Sequence, residues 1–372
     1  NRHHTLSRVF EIILFVSLAA ASVYSAIRLA GAPESLPAGT EGKTRSDYLL
    51  MLTQCILGLV VMLLPSRAAR RWKLPVPDVL YVQYYMFLYC AIFLGEVFDF
   101  YYLVPFWDTL LHSFSAVMLS LLGITIVDVL NRSGKISVSL SPGFTAMFAF
   151  CFAVALGALW EIYEYSFDAL LGLNMQKFRT AQGVELVGRE ALQDTMEDLI
   201  WDAASAFCAS IVWFLLGMTS VGMAEEFLFR GVIAQTLLEH FGTSRSGVWK
   251  ACLLSGLYFG AAHLTNLTGS APLGVLMQCV FAASLGTLLA AVYFRTGNIW
   301  VTVFIHAAMD ITSMLVGGLY GTQSVADSIS TYDITMLASV AVYLIPTAFL
   351  LRKKKIGEVE LYFGRDAVSE NA

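Results

Sequence analysis

Charge is scarce in this chain. Lys, Arg, Asp and Glu make up 14% of its 372 residues, hydrophobic residues 57%, and the mean hydropathy is +0.68. A water-soluble domain of this size needs far more polar surface to stay dispersed, so that class is excluded. No basic run is interleaved with aromatic residues, as a nucleic-acid groove requires, and no nucleic-acid partner is expected. There is no C-x-x-C pair. The six cysteines (Cys55, Cys90, Cys151, Cys208, Cys252 and Cys279) all lie inside apolar segments and read as packing residues, silent on redox compartment. The zinc-protease pattern H-E-x-x-H and the aspartyl pattern G-x-G-D are missing. Gly42-Lys43-Thr44 resembles the end of a phosphate loop, but Pro37 stands where the earlier glycine is needed.

What is present is apolar sequence in blocks. A bilayer-spanning helix needs about 20 mostly apolar residues. Ten segments qualify: 9–30, 47–65, 79–97, 109–130, 144–165, 197–217, 249–268, 272–294, 298–318 and 333–351. Another, 222–240, is apolar only in part. The fold class expected is an all-α, polytopic transmembrane helix bundle of about ten spans plus one buried or re-entrant helix, surrounded by membrane lipid. The first residue is Asn1, which leaves room for a start upstream. The first apolar segment has no small-residue cleavage site and is expected to be a retained helix. Arg67, Arg70, Arg71 and Lys73 make one loop basic, and Arg132 and Lys135 another, whereas 98–108 between them has no Lys or Arg. With Arg352, Lys353, Lys354 and Lys355 after the last span, this alternation places both termini in the cytoplasm. An even span count then requires that 222–240 does not fully cross.

Three short patterns in the last third carry chemistry. The first is Glu225-Glu226-Phe-Leu-Phe-Arg230-Gly231. Ionisable residues at membrane depth are expensive and need partners. Glu226 and Arg230 are four apart and can pair on a helix, which leaves Glu225 without its own counter-charge and suited to a general base. A plain Glu–Arg brace at a helix end would use the same residues. The second is Phe259-Gly-Ala-Ala-His263, whose small residues allow another helix to approach closely. A lone histidine there could equally be packing. The third is His306-Ala-Ala-Met-Asp310, whose spacing puts both side chains on one helix face. Such a pair could donate to an oxyanion, hold a metal, or simply brace the helix.

Taken in order, these patterns resemble the CPBP intramembrane proteases, which include the type II CAAX prenyl endopeptidases and the abortive-infection or bacteriocin-immunity proteins. The resemblance covers about 219–318. It implies an endopeptidase of a bacterial or archaeal cell membrane acting on membrane-embedded peptides, prenylated C-termini or leader peptides. Glu225 and His263 would activate a water, His306 and Asp310 would stabilise the oxyanion, and Arg230 would hold Glu226. Many members of that family have Asn at the position of Asp310; an ionised Asp would repel an oxyanion, so it must be protonated, paired with His306 or bound to a metal. If a divalent metal such as zinc takes part, Glu225, His263 and His306 are its ligands; a metal-free glutamate mechanism stays open.

Acids and aromatics recur between 79 and 217. Glu96 and Asp99 end one helix, Trp107-Asp108-Thr-Leu-Leu-His112 opens the next, and Trp160-Glu161-Ile-Tyr-Glu164-Tyr-Ser-Phe-Asp168 follows. Asp194, Asp198 and Asp202 form a further stripe at four-residue spacing. These acids could be charges favourable to helix N-termini, a cation or proton site, or the lining of a polar groove. Loop 171–193, with Lys177, Arg179 and Arg189, is expected to be a solvated connection rather than a lid. The elements Trp107 to His112, Trp160 to Asp168 and Asp194 to Asp202 resemble the YjdF (DUF2238) family and, more weakly, VanZ-like membrane proteins. The organisation expected is an N-terminal helical domain at 1–217, a peptidase domain at 218–351 and a cytoplasmic tail at 352–372. Two other functions compete with proteolysis: ion or solute binding by the acidic cluster, and a catalytically inactive, protease-like immunity scaffold.

Overall fold

The computed structural model describes residues 3–34, 42–72, 76–132, 140–180, 184–319 and 324–364. Pro37, Lys73, Lys135 and the tail beyond Gly364 lie outside them. Among the described residues there is no β-strand, only isolated bridges at Leu140–Ser324 and Arg179–Glu185. The chain divides into two compact units, Asn1–Ser133 with Thr145–Ile211 and Gly134–Phe144 with Val212–Ala372.

The first unit opens with α1 (His3–Leu29), α2 (Arg45–Val61) and α3 (Leu64–Trp72). Thr44 starts α2 through a reciprocal capping box with Asp47. Next come α4 (Asp78–Leu88), extended by a π-helical stretch Tyr89–Val97, the short α5 (Phe100–Leu103) and α6 (Trp107–Arg132). Leu14, Leu18, Met51, Cys55, Leu88 and Ile92 form one core among α1, α2 and α4 with its extension. The rest of the unit is α7 (Pro142–Leu171) from Thr145 and α8 (Arg189–Glu226) as far as Ile211. Here α6, α7 and α8 meet through Ala116, Ala153 and Ala206, all at most 1% exposed. Small residues let helix backbones approach closely without a bulky interface. From that seam, steps of about four residues lead to His112 on α6, to Gly157 and Glu161 on α7, and to Asp202, Asp198 and Asp194 on α8. The alanine seam and the acidic stripe are thus one continuous helix face.

The second unit takes the end of α8, a π-helical turn Phe227–Ala234, α9 (Gln235–Phe241) and α10 (Arg245–Ala262), which runs into a 3₁₀ turn His263–Thr268. Ser244 caps α10 by accepting from Gly247 N. α11 (Pro272–Thr296) has proline in its first turn and stops at Gly297 in the left-handed region (φ 63°). α12 (Ile299–Leu319), α13 (Val325–Ser330), α14 (Ala338–Leu350) and α15 (Gly357–Phe363) complete it. Ala234, Val248, Ala251, Cys252, Ala290 and Phe294 make the main core.

Eight helical runs are long and apolar enough to cross a membrane among the described residues, and Ile334–Leu350 with the bent Lys353–Phe363 would make a ninth. Large apolar side chains such as Ile27, Ile162 and Phe304 stand exposed along them, which lipid tolerates and water does not. The chain is a polytopic, all-α integral membrane protein. Of the ten expected spans, 249–268 is not among these runs and 333–351 enters only through the bent pair. The expected span 197–217 and the buried or re-entrant helix expected at 222–240 are not separate, because Arg189–Phe241 is one 53-residue helical run. Gly222 does not break it but admits α12: a Cβ there would lie 3.2 Å from Ala307 N. Segment 249–268 is helical, but α10 ends at Ala262 and a 3₁₀ turn follows, so it is not among the helices long and apolar enough to cross. The start of the segment expected as a tail, 352–372, is folded onto α11. Val359 is fully buried, Phe363 packs on Tyr293 and Phe294, and Arg295 pairs with Glu358.

Candidate functional site

Glu225 and Glu226 close α8, and the chain then widens into the π-helical turn that carries Arg230. Such turns are frequent where function demands a displaced side chain. Glu226 and Arg230 have no exposed surface, and Arg230 Nη1 lies 2.9 Å from Glu226 Oε1. The guanidinium also donates through Nη2 to the Gly286 carbonyl at 3.3 Å and lies over the Phe259 ring, 4.7 Å from its centroid. A buried ion pair is tolerated only with such additional partners. The close approach of α12 at Gly222 brings His306 to the same carboxylate: His306 Nδ1 is 2.7 Å from Glu226 Oε1. Arg230, Glu226 and His306 form a buried chain, the histidine only 5% exposed.

The other face of that imidazole is polar and more open. His306 Nε2 is 3.5 Å from Glu225 Oε2 and 3.7 Å from Asp310 Oδ2, and those carboxylates are 35% and 30% exposed. His263 caps the C-terminus of α10 and is half-buried. Its Nδ1 lies 2.9 Å from the Phe259 carbonyl, an acceptor, so Nδ1 carries the proton and Nε2 is left with its lone pair. Phe259 is the shared wall, its ring edge-to-face with His263 at 5.0 Å and with His306 at 5.5 Å. It is held by tight packing of α10 on α11, where a Cβ at Gly286 would come within 3.0 Å of both Gly256 Cα and the Phe259 ring.

Glu225, Glu226, Arg230, His306 and Asp310 are therefore brought together directly, and His263 joins them through Phe259. The metal set anticipated for this site is not assembled. Among the described residues, Glu225, His263 and His306 do not place one ligand atom each within 4.8 Å of one another, whereas Asp108, His112 and Asp198 do. Phe259 and the Gly286 carbonyl were not anticipated as parts of the site. Only the place of Phe259 four residues before His263 hinted at the first, and no residue-type signal marks the second.

The acids of the first unit also converge. His112 is buried, with Nδ1 3.3 Å from Asp202 Oδ2 and Nε2 3.9 Å from Asp108 Oδ1, 3.9 Å from Glu161 Oε1 and 3.7 Å from Asp198 Oδ2. Glu164 accepts from Trp160 Nε1 at 2.9 Å. Asp168 accepts from Met175 N at 2.7 Å and Gln176 N at 3.0 Å, which fixes the loop after α7. That loop is more than a solvated connection. Lys177 reaches back to Asp108 and, at 3.0 Å, to Asp194. Burial works against its ammonium, but the two carboxylates outweigh burial and raise its pKa above the ordinary lysine value.

Residues 10–218, more than half of the chain, match the family model described as predicted membrane protein DUF2238. The chain belongs to the DUF2238 family. In this DUF2238 protein, residues 207–312 also match the model described as type II CAAX prenyl endopeptidase Rce1-like, so the combination read from the motifs is the one found. An uncharacterized protein of Thermotoga maritima is 30% identical over 121 residues, which are 32% of this chain and 54% of that protein. The chain thus spans about half the length of that curated relative. No solved structure matches it.

Proposed function

We propose that this DUF2238 protein is an intramembrane endopeptidase whose site is the Glu225–Glu226–Arg230–His263–His306–Asp310 constellation. One observation carries the reading: a buried Arg230–Glu226–His306 chain turns His306 Nε2 toward two accessible carboxylates. A structural brace needs the first three groups but gives no reason to gather Glu225 and Asp310 at the open side. The similarity of 207–312 to the CAAX endopeptidase model supports the same reading.

Glu225 takes a proton from water, with His263 Nε2 accepting the other hydrogen bond. The hydroxide attacks the peptide carbonyl. The oxyanion receives hydrogen bonds from His306 Nε2 and from a protonated Asp310, while Glu226 balances the imidazolium through Nδ1. Collapse breaks the C–N bond as Glu225 returns the proton to the leaving amine. This chemistry uses side chains alone. The substrate is a membrane-embedded peptide or a prenylated C-terminus. Residues 218–351 form the peptidase part and 1–217 a separate helical part. The distribution of Lys and Arg supports cytoplasmic termini in a bacterial or archaeal cell membrane.

The test is cleavage of a panel of peptide and prenyl-peptide substrates in proteoliposomes. Wild type and Asp128→Asn, which alters only an exposed pair with Arg132, should cleave. Glu225→Gln and His263→Ala should lose about 10²- to 10⁴-fold in rate, the range for a removed general acid–base group. Cleavage that persists in both variants would overturn the assignment.

A further inference from the structure

The cluster around His112 belongs to the first unit and has no part in the peptide chemistry. His112 Nδ1 faces Asp202 Oδ2 at 3.3 Å. The carboxylate can only accept, so Nδ1 is the protonated nitrogen, and in the neutral ring Nε2 presents a lone pair. Three carboxylates converge on that lone pair, from Asp108, Glu161 and Asp198, at 3.7 to 3.9 Å. These separations exceed a hydrogen bond. They do match ligands that share an ion: two donors each about 2.1 Å from one cation stand about 3.0 to 4.2 Å apart as the angle between them opens from cis to trans. Acceptors facing acceptors in a buried site repel unless positive charge lies between them.

Glu161 is the independent witness. Its side chain is 5% exposed, yet neither of its oxygens has a partner within hydrogen-bond distance and angle among the described residues, the Thr195 hydroxyl being a donor that approaches it. Neighbouring acids are otherwise engaged: Glu164 by Trp160, Asp168 by two backbone amides, and Asp194 and the outer oxygen of Asp108 by Lys177. Asp108 Oδ1 remains directed at His112. Behind the ring, Asp202 is seated by a glycine, since a Cβ at Gly157 would collide with its carboxylate. A carboxylate that fixes the tautomer of a ligating imidazole from behind is the usual outer partner of a metal site.

We propose that Asp108, His112 and Asp198 bind one divalent transition-metal cation, with Glu161 beside the imidazole balancing the charge of the ion and Asp202 orienting the ring. One imidazole among carboxylates, without thiolate, suits Mn²⁺, Fe²⁺ or Zn²⁺ better than the all-oxygen sites of Ca²⁺ and Mg²⁺. The ion ties α6 to α8 at the end of the alanine seam, with Glu161 of α7 facing the same imidazole. The rival account is an imidazolium that neutralises the acids with no metal.

The experiment uses the full chain in detergent, tag removed and stripped with chelator. Mn²⁺ is titrated while the free-ion electron paramagnetic resonance signal is read, and Zn²⁺ is then added as competitor. The expected result is one Mn²⁺ per chain, displaced by Zn²⁺. Glu161→Gln and Asp198→Asn should weaken binding more than about 10-fold and Asp202→Asn about 10- to 100-fold, the range for outer-shell partners. Glu225→Gln should bind like wild type, which places the ion in the first unit. Mn²⁺ should also raise the melting temperature of wild type and not of Glu161→Gln, whose own cooperative melt shows that it is folded. Binding that is absent in wild type, or equal in Glu161→Gln and Asp198→Asn, or lost in Glu225→Gln instead, would overturn the proposal.

Discussion

Arg230 is the residue on which the proposed peptidase site rests. It is fully buried, pairs with a fully buried Glu226 and lies on Phe259. Arg230→Met should cost about 3–5 kcal/mol, because it strands a buried carboxylate. Adding Glu226→Leu should restore much of that loss in denaturant melts. Asp310 separates two chemistries. Asp310→Asn keeps a hydrogen-bond donor toward the oxyanion and should retain cleavage, whereas Asp310→Ala should lose about 10²- to 10³-fold in kcat, as for a removed oxyanion donor. Equal loss in both variants would show that the carboxyl group itself is required. Glu225, Glu226 and Arg230 were legible in the sequence, because charge in an apolar helix is costly and a spacing of four makes a pair. Phe259 was not, since an aromatic in an apolar helix is ordinary. The pairing of Lys177 with Asp108 and Asp194 depends on how its loop folds back, which no local pattern states.

Helix seams, at the next scale, place these residues. α10 and α11 touch through Gly256 and Gly286, and a Cβ at Gly256 would come within 2.5 Å of the Ala283 carbonyl. Gly256→Ala should force the helices apart at a cost of about 1–3 kcal/mol and displace Phe259, so cleavage should fall even though no reacting group changes. Thermal unfolding and the cleavage rate together check this. The small residues before His263 were readable as a close approach, and Gly260 does meet Ala283 of α11; Gly256 and Gly286 were not singled out by any pattern. Continuity of 197–217 with 222–240 was not readable either, because glycine in a membrane helix does not reveal whether it ends the helix or admits a neighbour. At Gly222 it admits Ala307.

At the scale of the whole molecule, the low charge content already announced a polytopic helical bundle, and the order of the motifs announced its two kinds of sequence. The span count needed the backbone. The first unit closes with its own loop, pinned by Lys177. Its pKa is raised by the two aspartates, so the stabilisation is complete below the ordinary lysine value of 10.5 and is lost as pH rises through the higher folded value. Limited proteolysis should find the 172–180 stretch protected up to about pH 10 and exposed at neutral pH in Lys177→Met. The central claim concerns the second unit, and the most direct test is the single-turnover cleavage rate of wild type against Glu225→Gln on one membrane-embedded substrate. The account predicts product from wild type and a rate at least about 10²-fold lower for a variant that still melts like wild type. Equal rates would contradict it.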